Sequence, residues 1–303
     1  MRFLRRLGGV LLITSLILTA CARSSPPSAT STPIPPSPTP VLPTPTSEPL
    51  AATVDGAPIR LVEYQQELAR FEAAQATLGI DLATLGDYRT RVLQAMVDRR
   101  LLAAAAVADG GTPDAAALEA TIARLTTERG GTDGLEAWLS ENEYTLDGFQ
   151  AVLEEEMLAE QTVEQIVSAV PRTAEQVHAR HILVTSREQA QDVLDQLQAG
   201  ADFASLAEKI SLDLSTRLAG GDLSWFPRGY LTMEPVETAA FSLQPGEVSG
   251  IVESDLGFHI VQTLEREDRP LTSDAWQRLG KRAVEDWLMS RRASANIETF
   301  VAP

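Results

Sequence analysis

The chain of 303 residues is 44% hydrophobic and 22% charged, a globular composition long enough for two domains with cores of their own. Its 42 acidic against 25 basic residues give a formal net charge of -17, which argues against nucleic acid as a partner. One cysteine and three histidines exclude a disulfide framework and a Cys/His zinc cluster.

Met1 to Arg6 carries three arginines, and Leu7 to Ala20 is a fourteen-residue uncharged run, the pattern of a secretory signal over residues 1–20. Fourteen residues fall short of the roughly 20 that span a bilayer as a helix. Leu18-Thr19-Ala20-Cys21 follows and resembles a bacterial lipobox, where the signal is removed and the cysteine acylated. The resemblance implies that Cys21 is the lipidated first residue of the mature chain, anchored to the bacterial cell membrane on its extracytoplasmic side. Without Arg2, Arg5 and Arg6, 22 basic residues face 42 acidic ones, a net charge of -20.

Residues 22–50 hold ten Pro, six Ser and five Thr, a composition that favours an extended, solvated tether over a packed core. Residues 51–171 read as a helical domain that opens on a strand-turn signal at Thr53 to Ile59. Helices are predicted at Leu61 to Thr77 and Tyr88 to Ala108, a third from Thr112-Pro113, a fourth around Leu135 to Leu139, and a fifth from Leu146 to Val170. Residues 172–269 are different: the strand-like runs Val177 to Val184 and Phe258 to Leu264 enclose two helical patterns and several glycines, an α+β unit. Residues 270–303 return to helix over Ser273 to Phe300. The apolar face of Trp276, Leu279, Val284, Trp287 and Leu288 needs cover, and the helical domain before residue 171 is its expected partner.

All three histidines, His178, His181 and His259, lie in the mixed unit. Ala179-Arg180-His181-Ile182-Leu183, Phe203-Ala204-Ser205-Leu206-Ala207, Ser211-Leu212-Asp213, Gly220-Gly221-Asp222-Leu223-Ser224-Trp225-Phe226, Pro245-Gly246-Glu247-Val248-Ser249 and Gly257-Phe258-His259-Ile260 stand in the order of the parvulin-type peptidyl-prolyl isomerases, which residues 174–268 resemble. The resemblance implies a four-stranded antiparallel sheet with surrounding helices, and the apolar face of the C-terminal helix leads to the expectation that this unit is inserted in an all-α chaperone-like domain which that helix completes. It implies a catalytic set of His181, Asp213 and His259, and an apolar proline pocket drawn from Leu231, Met233, Val236 and Phe241. The chain has one residue more than shorter members between Gly229 and Glu237, which leaves Leu231 and Met233 competing for one pocket position. Ser224 stands where many members have glycine. The basic loop of the phosphate-selective members is reduced to Thr185-Ser186-Arg187, so no phosphate requirement is expected.

The whole order, from lipobox to closing helix, resembles extracytoplasmic foldases of the PrsA and SurA type. That implies a folding chaperone and isomerase acting on Xaa-Pro bonds of unfolded secreted proteins, with no cofactor or metal. The alternative is a lipid-anchored holdase whose isomerase unit is weak or inactive.

Overall fold

The computed structural model describes residues 48–301. The expected signal, Cys21 and most of the Pro/Ser/Thr-rich tether lie outside the described residues. Two compact units divide the described residues: one holds residues 48–162 together with 291–301, and the other is Val163–Ser290.

The first unit opens with an antiparallel hairpin, β1 (Leu50–Val54) and β2 (Ala57–Arg60), turned at Asp55-Gly56. Helix α1 (Leu61–Thr77) and α2 (Tyr88–Ala108) have the bounds predicted from their apolar spacing, and α2 buries Val92, Leu93, Met96, Val97, Leu101 and Leu102. Helix α3 (Ala115–Glu128) starts later than Thr112-Pro113 suggested, because Asp114 is the cap: its carboxylate accepts the amides of Ala116 and Ala117 at 3.0 Å. Helix α4 (Thr132–Glu141) and the first part of α5 (Leu146–Ser168) close a small core of Leu125, Leu135, Leu139 and Phe149. The Thr162 hydroxyl donates to the Leu102 carbonyl at 2.9 Å, tying α5 to α2.

In the second unit, β3 (Thr173–Val184), β4 (Asp222–Pro227), β5 (Val252–Ser254) and β6 (Gly257–Pro270) form an antiparallel sheet in the order β4-β3-β6-β5. Helices α6 (Arg187–Gln198) and α7 (Phe203–Ile210) cover the face that carries Ile182, Val184 and Ile260. Helix α8 (Glu234–Ser242) packs through Val236, Ala240 and Phe241 on the opposite face, against Val177, Ala179 and Val261.

Helix α9 (Ser273–Ser294) ends earlier than predicted, and Ile297–Thr299 is a strand, β7, that pairs antiparallel with β1. The first unit therefore has a three-stranded sheet, β2-β1-β7, beside its helices. The expected divisions near residues 172 and 269 also lie elsewhere, at 163 and 290, inside α5 and α9. The reason is packing: Trp276 donates its indole N–H to the Val170 carbonyl at 3.3 Å, the Arg172 guanidinium lies 3.7 Å over its ring, and Gly280 is buried against Val167. From Arg291 on, the contacts are those of the first unit, with Arg291 on Asp55 and Arg292 on Asp98.

Candidate active site

Antiparallel pairing places His181 opposite Val261 and Leu183 opposite His259, so both histidines stand on the α8 face of the sheet and neither is exposed to solvent. A second tie fixes His181: its amide donates to the Gly221 carbonyl at 2.9 Å. Gly221 has φ +81°, and an added Cβ would collide with the His181 carbonyl oxygen. The double glycine of the motif thus lets one backbone approach another.

Asp213 lies in the segment between α7 and β4, where its Oδ1 accepts the Ser215 amide at 3.0 Å and the Ser215 hydroxyl at 2.6 Å. Its Oδ2 accepts from the Thr216 hydroxyl at 2.7 Å and meets His181 Nε2 at 2.7 Å. The carboxylate is therefore both a local turn cap and the partner of His181. Burial by itself would raise its pKa, but the bonds from Ser215, Thr216 and His181 prevail and hold the carboxyl well below the usual carboxylate range.

His181 Nδ1 faces His259 Nδ1 at 3.2 Å, and His259 Nε2 faces the Ser254 hydroxyl at 2.7 Å. The rings are stacked, with centroids 5.3 Å apart. Burial and then the neighbouring His181 lower the pKa of His259 to about 4, against the attraction of Asp213. With both imidazoles neutral, one direction satisfies every atom. Ionised Asp213 can only accept, so His181 donates from Nε2; His181 Nδ1 then accepts from His259 Nδ1, and His259 Nε2 accepts from Ser254. The Leu256 amide completes the line by donating to Ser254 Oγ at 3.1 Å.

Beside this polar line lies the apolar cluster of Val177, Ala179, Phe226, Val236, Phe241 and Val261, with Leu231 and Met233 packed against it. All four expected pocket residues are gathered there. They are not equivalent: Val236 and Phe241 are 0% and 4% exposed and lie inside the cluster, whereas Leu231 and Met233 are half-buried at its edge. Phe241 meets Phe226 edge-on with centroids 6.1 Å apart, and the Arg228 guanidinium lies 4.1 Å over its ring. Among the described residues no group of three His, Cys, Asp or Glu side chains is arranged to hold a metal ion.

Residues 166–265 match the family model of the PPIC-type PPIase domain, and residues 42–163 match that of the SurA-like N-terminal domain. The two matched regions follow one another along the chain. It is 39% identical over 125 residues to the foldase protein PrsA of Halalkalibacterium halodurans, an overlap of 41% of this chain and 35% of that one. It is 38% identical over 148 residues to the chaperone SurA of Bordetella avium, covering 42% and 29% of the two chains. This chain thus spans about a third of the length of the curated relatives it matches. A crystal structure of the peptidylprolyl isomerase PrsA from Bacillus anthracis overlays with a TM-score of 0.45 at 21% identity, over 70% of this chain and 99% of that one.

Within the region that matches the PPIase model, Ser254, Thr216 and Glu237 could not be picked out from the sequence alone. Thr216 comes nearest, since Asp213-Leu214-Ser215-Thr216 is a turn in which short polar side chains bond one another. Ser254 and Glu237 carried no local signal, because the atoms they meet are set by the return of β6 and by the loop before α8.

Proposed function

We propose that the chain is an extracytoplasmic foldase whose PPIase domain rotates Xaa-Pro bonds of unfolded secreted or envelope proteins, while the SurA-like region acts as the chaperone. The observation that carries this reading is the meeting of Asp213, His181, His259 and Ser254 in one hydrogen-bonded line beside the apolar cluster of Leu231, Met233, Val236 and Phe241.

Rotation must break amide resonance, a barrier of roughly 20 kcal/mol, so the site must bind the twisted amide better than either planar form. The planar amide carries partial negative charge on its carbonyl oxygen, and water stabilises that charge. An apolar seat for the pyrrolidine ring excludes the water, and the ionised Asp213 carboxylate disfavours negative charge near it. Rotation transfers no proton, so the histidines act by holding Asp213 and the pocket wall in place. Arg187, the one basic residue where phosphate-selective members have a basic loop, pairs with Glu253 at 3.1 Å, which favours unphosphorylated substrates.

Cys21 is the membrane attachment in this reading, acylated after cleavage at Ala20 and followed by the Pro/Ser/Thr-rich tether. Mass spectrometry of the processed amino terminus tests it; a mature chain starting at another residue refutes the anchor. A proline-limited refolding assay with the chain from Ala22 tests the isomerase. Acceleration that is lost in Asp213→Ala supports it, whereas suppression of aggregation with no acceleration leaves a holdase.

A further inference from the structure

The loop between β4 and α8 is gripped from two sides. From within, Glu237 on α8, only 8% exposed, accepts the backbone amides of three successive residues, Gly229 at 2.6 Å and Tyr230 and Leu231 at 3.0 Å each. From without, α9 meets the same residues. The Tyr230 hydroxyl donates to Asp274 Oδ2 at 2.8 Å, and the Arg278 guanidinium lies 4.7 Å over the Tyr230 ring. Leu279 reaches Gly229 so closely that an added Cβ there would stand 3.2 Å from its methyl group. Gly229 has φ +81°, a conformation that needs glycine and turns the next two amides toward Glu237.

Two facts make this grip more than loop anchorage. Leu231, the third clamped residue, packs against the cluster of Val236 and Phe241 where a proline ring would sit. Helix α9, moreover, begins at Ser273, beyond residue 265 where the PPIase match ends. A buried carboxylate is stable when several donors converge on it, so the loop conformation and the place of Glu237 depend on each other. Asp274 and Arg278 then hold Tyr230, whose ring also packs against the edge of the cluster, so α9 and the cluster share this side chain.

We propose that the first turns of α9 belong to the isomerase site: together with Glu237 they are positioning elements that set loop 229–231, and through it the place of Leu231 against the bound proline. The proposal rests on the prolyl-isomerase reading above and extends the site past the family's boundary. It also gives the C-terminal helix a partner besides the helical domain expected from its apolar face.

The test uses the chain from Ala22 to Pro303 and an unphosphorylated Leu-Pro tetrapeptide. Tyr230→Phe removes one solvent-accessible hydrogen bond and Asp274→Ala removes that bond together with the one from Arg278, and each should raise KM about threefold with kcat nearly constant. The double variant should be no worse than Asp274→Ala alone, since that change already deletes the Tyr230 contact. Glu237→Gln, which keeps the volume but turns an acceptor into a donor facing N–H groups, should raise KM about tenfold. In parallel, Asp274→Ala should shift the Leu231 methyl resonances. Unchanged KM in Tyr230→Phe and Asp274→Ala overturns the proposal, and these surface variants decide it even if Glu237→Gln does not fold. A wild-type chain that fails to turn over the peptide refutes the isomerase reading instead; the Leu231 methyl signals still judge the clamp, and their failure to move overturns it.

Discussion

The Nδ1 atoms of His181 and His259 face each other at 3.2 Å, so one of them must carry a hydrogen and the other a lone pair. Protonating His259 would place a charge in a buried site, beside the His181 ring, which is why its pKa falls to about 4. In the unfolded chain the same ring titrates near 6.5.

This difference makes stability depend on pH in a defined window. A depressed histidine pKa means that the unfolded state binds the proton more readily, so stability is complete above about pH 6.5 and falls as the pH drops toward 4, by at most about 1.4 kcal/mol per unit. Asp213, whose pKa is also lowered, retains its contribution through this window and loses it only in stronger acid. Denaturant melts between pH 7 and 4 should show the slope, and His259→Gln should remove it. An NMR titration of the His259 ring with an ordinary midpoint would refute the assignment.

Ser254→Ala leaves His259 Nε2 without its donor. The ring is then free to turn, and prolyl isomerisation should fall about fivefold, the equivalent of one hydrogen bond of roughly 1 kcal/mol. The fold should survive, since Ser254 ends a three-residue strand near the sheet edge. Steady-state kinetics with a short peptide checks this; activity equal to wild type would show that the line needs no terminal donor.

Two glycines with similar backbone angles should differ sharply. Gly221 and Gly246 have φ +81° and +90°, but only Gly221 has a carbonyl oxygen where its Cβ would go. Gly246→Ala should cost about 1 kcal/mol, the left-handed penalty alone. Gly221→Ala should cost several-fold more and should displace His181, visible as lost activity. Equal costs from thermal melts would contradict the geometry.

Ser224 occupies left-handed backbone at φ 57°, which gives a physical sense to the glycine that many parvulin-type isomerases have there. Its amide still donates to Asp222 Oδ1 at 2.7 Å, a bond that does not depend on the side chain. Ser224→Gly should therefore stabilise the PPIase domain by about 1 kcal/mol, with a rise of a few degrees in Tm. A lower Tm would mean that the extra freedom of the unfolded glycine outweighs the relieved strain.

What could be read without a structure followed from periodicity and from ordered motifs. The apolar repeat of α2 marks its helix, and the motif order singles out His181, Asp213 and His259. Glu237 could not be read in this way, since a carboxylate next to Val236 on a short helix looks like any solvent-facing acid until the loop returns over it. Strand β7 escaped for another reason: Ile297-Glu298-Thr299 is too short for alternation to register, and it follows a long helix with one intervening turn. The half-buried face of Trp276 and Leu279 needs cover, but a periodic stripe does not specify which surface supplies it.

The pairing of β1 with β7 puts Ala52 opposite Thr299. A ribosome or a translocation pore delivers the first of these residues nearly 250 positions before the second. During that interval the hairpin of β1 and β2 has one open edge, while every residue of the PPIase domain is already available to fold. Vectorial synthesis therefore favours the inserted domain maturing first and the outer one closing around its own two ends last.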